Sequence, residues 1–198
     1  MNETITHVLL TTPRLAIREL TLNDFDAFWQ LESNPDVYRY LGYAPVHHKT
    51  EAELQLLHHI NQYKQYGMGR WALVDKQTNQ FVGLCGVRFA TETENNRTHF
   101  YDLGYRLLPQ FWGKGLATEA AQACVAYAFE VLQVPEIISM IHVDHRTSKR
   151  VAGKCGLSYE ETFSWYNIGY EWFSLTKYDW EQQHQQHEYT TYQFHGAR

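Results

Sequence analysis

Between Leu103 and Thr118 the chain runs Leu-Gly-Tyr-Arg-Leu-Leu-Pro-Gln-Phe-Trp-Gly-Lys-Gly-Leu-Ala-Thr: an apolar strand, a turn with paired glycines, and the opening of a helix. A helix start leaves backbone N–H groups without intrahelical partners, and the helix dipole adds partial positive charge. Such a junction is built for an anion. Gly113 and Gly115 permit the dihedrals and the close backbone approach that the turn needs. Behind it, Leu116, Ala117, Ala120, Ala121, Cys124, Val125, Ala128, Phe129 and Leu132 recur at helical period, with Glu119, Gln122 and Glu130 off the stripe. So many small residues predict a helix packed closely on a sheet.

Spacing separates three phosphate-binding designs. A P-loop needs four residues between its first glycine and a Gly-Lys-Ser/Thr, and none occurs. The dinucleotide fingerprint places a glycine where Thr118 stands and an acidic residue about 20 positions on, and Asp144 comes too late. What remains is Gln110-Phe111-Trp112-Gly113-Lys114-Gly115, a Gln-x-x-Gly-x-Gly loop. It resembles the acyl-CoA pyrophosphate loop of the GNAT superfamily of N-acetyltransferases. Arg14-Leu15-Ala16-Ile17-Arg18-Glu19-Leu20, Asn34-Pro35-Asp36-Val37 and Leu103 to Pro109 extend the similarity, in order, from about Thr12 to Trp180. Together they look like the branch that acetylates ribosomal-protein N-termini and related amines.

The resemblance implies acetyl-CoA as cosubstrate and a small-molecule or peptide amine as acceptor; no metal is expected, from the placing of the histidines. It also implies that the coenzyme meets Tyr105, Arg106, Leu107, Gln110, Phe111, Trp112, Gly113, Lys114, Gly115, Leu116, Ala117 and Thr118. The junction Asp144-His145-Arg146-Thr147-Ser148 corresponds to a coenzyme contact that is usually Asn-x-x-Ser; Ser148 matches, and His145 replaces the asparagine.

Other sequence features bound the class. With 198 residues, an apolar fraction of 44% and no polar linker, the chain can bury one core, so residues 1–181 are expected as a single domain and 182–198 as a polar, mobile tail. Apolar runs are short and the start Met1-Asn2-Glu3-Thr4 lacks signal-peptide character, so a cytoplasmic protein with no membrane association is expected. A net charge of −5 argues against nucleic acid as a partner. Cys85, Cys124 and Cys155 read as reduced core residues. His47-His48 and His58-His59 are adjacent pairs whose side chains diverge, and His184 and His187 have a ligand-like gap without a supporting framework. Oligomeric state stays open between monomer and homodimer.

Periodicity predicts a strand over Leu15–Leu20, a helix from Leu22 to Glu32 capped by Thr21 and Asp24, and a second helix opened by a Thr50–Glu53 capping box and ended by Gly67. A hairpin over 70–89 follows, then a polar loop, and a strand over His99–Leu108 in which Gly104 suggests a bulge or a ligand against the backbone. Ile137–Val143, a short helix from Thr147 to Cys155 and a final hairpin over 157–175 complete a mixed α/β domain. The resemblance implies that its central sheet is mixed, mostly antiparallel and flanked by helices.

Phosphates at Gly113–Thr118 would let the pantetheine arm run back along Leu103–Leu108 as an added strand, bringing the thioester near Asp102–Tyr105. An amine of pKa near 10 is almost wholly protonated at neutral pH, a deficit of roughly 4 kcal/mol, so some group must take its proton. Asp102, where the resembling branch commonly has an acidic residue, is the first candidate, with Glu160 and Glu161 as alternates. Many superfamily members carry a tyrosine that protonates the departing thiolate where this chain has Ala152. Ser148 is then the candidate acid, or alternatively a helix cap. A backbone N–H near Tyr105 would face the oxyanion. Two other classes stay open: an acyl-CoA-binding regulator without turnover, favoured by His145 and Ala152, and an NAD(P)-binding oxidoreductase.

Overall fold

The computed structural model describes residues 8–184 and 192–195. Nine strands, β1 (Val8–Thr11), β2 (Leu15–Arg18), β3 (Trp71–Asp75), β4 (Phe81–Ala90), β5 (Phe100–Leu107), β6 (Glu136–His142), β7 (Ser158–Trp165), β8 (Ile168–Thr176) and β9 (Gln193–Phe194), form one sheet. Its order is β7-β8-β6-β5-β4-β3-β2-β1-β9. Every neighbouring pair is antiparallel except β5 and β6. The helices are α1 (Phe25–Glu32), α2 (Pro35–Tyr38), α3 (Lys49–Tyr66), α4 (Leu116–Glu130), α5 (Arg146–Lys154) and α6 (Lys177–His184). No helix among the described residues is long and apolar enough to cross a membrane.

The fold is the mixed α/β domain that the sequence predicts, with local differences. Asp24 does close the start of the first helical segment, accepting from the Thr21 N–H at 2.8 Å, but its first turn is a 3-10 turn that precedes α1. Helix α3 begins one residue before Thr50, behind His48, so Thr50 lies inside it and caps nothing. Asn34 breaks α1 and immediately caps α2, its Oδ1 accepting from the N–H groups of Asp36 and Val37. Strands β1 and β9 were not apparent in the sequence. The segment expected as a tail contributes the end of α6 and then β9, which pairs Phe194 with Leu10. Residues 185–191 and 196–198, His187 among them, lie outside the described residues.

Helix α4 packs its small face on β4 and β5, burying Ala120, Ala121, Ala123, Cys124 and Ala128 completely. Cys85, Cys124 and Cys155 are free and buried in this core. On the opposite side α1 and α3 pack together, with Phe28, Leu31, Ala52 and Leu56 inside. Gly67, at φ +70°, ends α3 as expected.

No bulge occurs at Gly104: the β4–β5 register runs unbroken from Gly83↔Leu107 to Ala90↔Phe100. The glycine is needed for another reason. An ideal Cβ there would meet the Arg70 guanidinium, with Nη2 at 2.5 Å.

Candidate active site

The parallel neighbours β5 and β6 register at only one pair, Asp102↔Ile138, and diverge beyond it. Ser139 pins the apex, its Oγ donating to the Leu103 carbonyl at 3.0 Å. The Leu107 carbonyl is reached from the same side by the Trp112 indole Nε1 at 2.6 Å. Strand pleating therefore turns the N–H and C=O of Tyr105, which lies between them, into the opening. Such an edge can pair with an extended ligand.

This opening runs into a cavity of about 1160 Å³ lined by both splayed strands, the turn before α4 and the start of α5. At the turn Gly113 and Gly115 adopt φ of +72° and +79°, the left-handed region that glycine enters without penalty. Gly115 is the residue from which α4 starts, so the free N–H groups of the first turn face the cavity mouth. The loop is held from behind: Arg14 donates from Nη1 to the Lys114 carbonyl at 2.8 Å and from Nε to Glu119 at 2.6 Å. Thr12 Oγ1 and the Arg14 N–H donate to the other Glu119 oxygen. These bonds draw the Glu119 carboxyl below its usual range, against burial.

Across the opening, the Tyr105 hydroxyl donates to the Ser148 carbonyl at 2.9 Å and lies 3.0 Å from Ser148 Oγ. Burial raises the Tyr105 phenol, keeping it protonated. Ser148 is the third residue of α5, and its hydroxyl is spent on this pair, not on capping the helix.

A family model described as "Acetyltransferase (GNAT) domain" matches residues 14–158. The chain belongs to the GNAT acetyltransferase family. It is 31% identical over 140 residues to the N-acetyltransferase p20 of Bacillus licheniformis, covering 70% of this chain and 76% of that one. Its fold is shared with spermidine N-acetyltransferase from Vibrio cholerae in complex with CoA and spermine (17% identity, TM-score 0.71, covering 85% of this chain and 98% of that one). The same holds for RimL, the ribosomal L7/L12 α-N-protein acetyltransferase in complex with CoA (17% identity, TM-score 0.72, 86% and 98% covered).

Most residues expected at the GNAT coenzyme site do line the one cavity: Leu107, Phe111, Trp112, Gly113, Gly115, Leu116, Ala117, Thr118, His145 and Ser148, with Tyr105 and Asp102 deeper in. Gln110 and Lys114 do not. Gln110 is exposed on a 3-10 turn, and the Lys114 ammonium lies over the Phe111 ring at 5.4 Å. Of the basic residues Lys114, Arg146, Lys149 and Arg150, which the sequence puts at the two helix starts, only Arg150 lines the cavity, joined by Lys154. Lys149 is paired with Glu171 at 2.6 Å. The His145 ring packs on Tyr40 with centroids 4.3 Å apart. Burial, aided by His142 and Lys149, pushes its imidazole down to about 4, so it is neutral at physiological pH.

The cavity continues past β5 into a second branch that the sequence did not reveal. Arg106 lines the cavity as expected, but its side chain points into this branch, donating to Glu32 Oε2 at 3.0 Å and to the Tyr38 hydroxyl at 3.3 Å. Asp102, 7% exposed, is held by Arg70 (Nη2 to Oδ2, 2.6 Å) and Arg88 (Nε to Oδ2, 3.1 Å). Glu160 and Glu161 lie on β7, paired with Arg97 at 2.9 Å each, and do not line the cavity. No group of three or more His, Cys, Asp or Glu among the described residues is arranged to hold a metal.

Proposed function

We propose that this protein transfers the acetyl group of acetyl-CoA directly to a primary amine. The observation that carries the reading is one continuous cavity joining the glycine turn, the unpaired edge of β5 and the Tyr105–Ser148 pair. The diphosphate sits on the free N–H groups of Gly113 to Thr118, with Arg150 and Lys154 nearby. Pantetheine pairs with the Tyr105 backbone, which places the thioester near the apex beside Asp102 and Gly104. The relatives' named acceptors span spermidine and a ribosomal protein N-terminus, and support for an amine acceptor comes from both.

In the reaction the amine nitrogen forms a C–N bond to the thioester carbon, the C–S bond breaks, and its electron pair leaves on sulfur. The Tyr105 N–H stabilises the oxyanion. Ser148 Oγ gives its proton to the thiolate and recovers one, relayed through the Tyr105 hydroxyl, from the cleft water that takes the amine proton. With a thiol pKa of about 8.5, this help accelerates departure without being indispensable.

For the amine proton, Asp102 was the first expectation, and its setting argues for another role. Its buried Oδ2 is already bound by both Arg70 and Arg88. We assign Asp102 to anchoring the two arginines, and the proton to water in the cleft. Release of free thiol from acetyl-CoA across a panel of peptide and small amines tests the proposal. Tight coenzyme binding without release above background would favour a regulator that binds acyl-CoA.

A further inference from the structure

In the branch beyond β5, three ring or side-chain acceptor sites shielded from solvent, Glu32 Oε1, Gln62 Oε1 and His59 Nδ1, have no hydrogen-bond partner, and neither does one donor on its wall, Trp165 Nε1. All three residues line the same cavity. Glu32 is 1% and Gln62 7% exposed. Leaving a buried acceptor unpaired costs about 1–3 kcal/mol, so three at one place call for a common explanation.

Their neighbours fix where they point. Glu32 Oε2 is taken by the Tyr38 hydroxyl and Arg106, which leaves Oε1 as the free oxygen. The Gln62 amide nitrogen lies 3.2 Å from His58 Nε2 and, donating to that ring nitrogen, leaves the amide oxygen over. Burial first, then the charges of Arg106 and Arg70, hold the His59 imidazole in its neutral form. In the tautomer that carries its proton on Nε2, Nδ1 is a third acceptor. Arg106 ties the set together: it binds Glu32, its charge acts on His59 more strongly than any other, and it follows Tyr105 on β5.

Donors are what such a set lacks. No protein donor reaches these three atoms, Trp165 Nε1 included, and the guanidiniums of Arg70, Arg88 and Arg106 are directed at Asp102, Glu92 and Glu32. A primary amine brings two N–H groups, or three as ammonium. Around the set, Tyr38, Tyr43, Trp165 and Tyr170 line the branch with edge-on ring contacts, Tyr38 to Tyr43 at 5.4 Å and Trp165 to Tyr170 at 5.4 Å. These four rings give a flat body a surface to pack on, in a cavity whose lining also carries Asp36, Glu92 and Glu94.

We infer that Glu32, His59 and Gln62 form the acceptor-amine subsite, which takes a primary amine carried on an aromatic body by its N–H groups. The inference rests on the acetyl-transfer reading and names the acceptor class for it. Binding is measured calorimetrically on the full chain, with and without CoA, using 2-phenylethylamine, its N-trimethylated derivative and spermidine. 2-Phenylethylamine is expected to bind and to be acetylated. The trimethylated ion, with the same ring and charge but no N–H, should bind at least about tenfold more weakly, the equivalent of one hydrogen bond to a charged partner.

Glu32→Gln and Gln62→Leu should each weaken the amine by about five- to tenfold while leaving the CoA Kd within about twofold. Gln62→Leu leaves the Glu32–Arg106 pair intact and so keeps the test open if Glu32→Gln folds poorly. Equal binding of the trimethylated ion, unchanged binding in both variants, or tighter binding of spermidine than of 2-phenylethylamine would overturn the inference. Loss of CoA binding by the wild-type chain would condemn the coenzyme site alone, because the amine titration without CoA stands by itself.

Discussion

Replacing Gly104 with alanine puts a Cβ 2.5 Å from Arg70 Nη2 and 2.7 Å from its Cζ and Nε. The guanidinium cannot slide aside. Nη2 holds Asp102 Oδ2 at 2.6 Å, and Nη1 holds the Gly86 carbonyl at 2.7 Å together with the Asp102 carbonyl. Gly104→Ala must therefore expel Arg70 or distort β5. Removing one partner from a buried ion pair costs about 3–5 kcal/mol, and because Arg88 still holds Asp102 the expected loss is about 3. In a chain of this size each kcal/mol lowers Tm by about 2–4 °C, so the midpoint should fall by about 6–12 °C. Thermal unfolding of the wild type, Gly104→Ala, Arg70→Ala and the double variant forms a closed cycle. The double variant should be no less stable than Arg70→Ala alone, since the new methyl then has room. A Gly104→Ala midpoint within about 2 °C of wild type, or losses that simply add, would refute the claim that this glycine exists to seat the guanidinium.

Ser148→Ala should lower kcat by about 10²-fold while leaving CoA affinity nearly unchanged, and steady-state kinetics beside calorimetry would expose it as a mere contact if both fell together. Tyr105→Phe should reproduce most of that loss. Glu119→Ala, which frees Arg14 and the Lys114 carbonyl behind the glycine turn, should weaken CoA about fivefold with little effect on folding; unchanged affinity would remove the buttress from the account. Because the His145 pKa is about 4 in the fold and near 6.5 unfolded, the unfolded chain binds the extra proton as pH falls from 6.5 towards 4, so stability is full above 6.5 and declines through that window. His145→Asn should flatten the slope between about pH 6.5 and 5 in chemical denaturation, and an unaltered slope would contradict the buried, neutral imidazole.

The coenzyme half of the site was legible because local rules write it. Glycine pairs, a helix start and an alanine stripe are sequence-adjacent, and they fold as Gly113, Gly115 and α4. The closing hairpin was equally plain, with Tyr166 and Asn167 forming its two-residue turn at positive φ. What escaped depends on residues far apart in the chain. Gly104 in a strand pattern suggested a bulge, since nothing local announces a guanidinium from Arg70, 34 positions earlier. Ser148 looked like a cap because its partner, Tyr105, is 43 residues away. Glu32, His59 and Gln62 read as ordinary polar residues of amphipathic helices, and only the packing of α1 against α3 turns them inward. Strand β9, two residues long, is too short for periodicity to register, and β1, Val8–Thr11, is a short apolar run without alternation.

The central claim is that CoA binds with its diphosphate on the glycine turn and its pantetheine along the free edge of β5. Titrating uniformly ¹⁵N-labelled protein with CoA and following the backbone amides tests it residue by residue. The largest shifts should fall on Gly113, Lys114, Gly115 and Leu116 and on Tyr105, with one molecule bound per chain. Saturable shifts that leave these five amides unmoved would contradict the account.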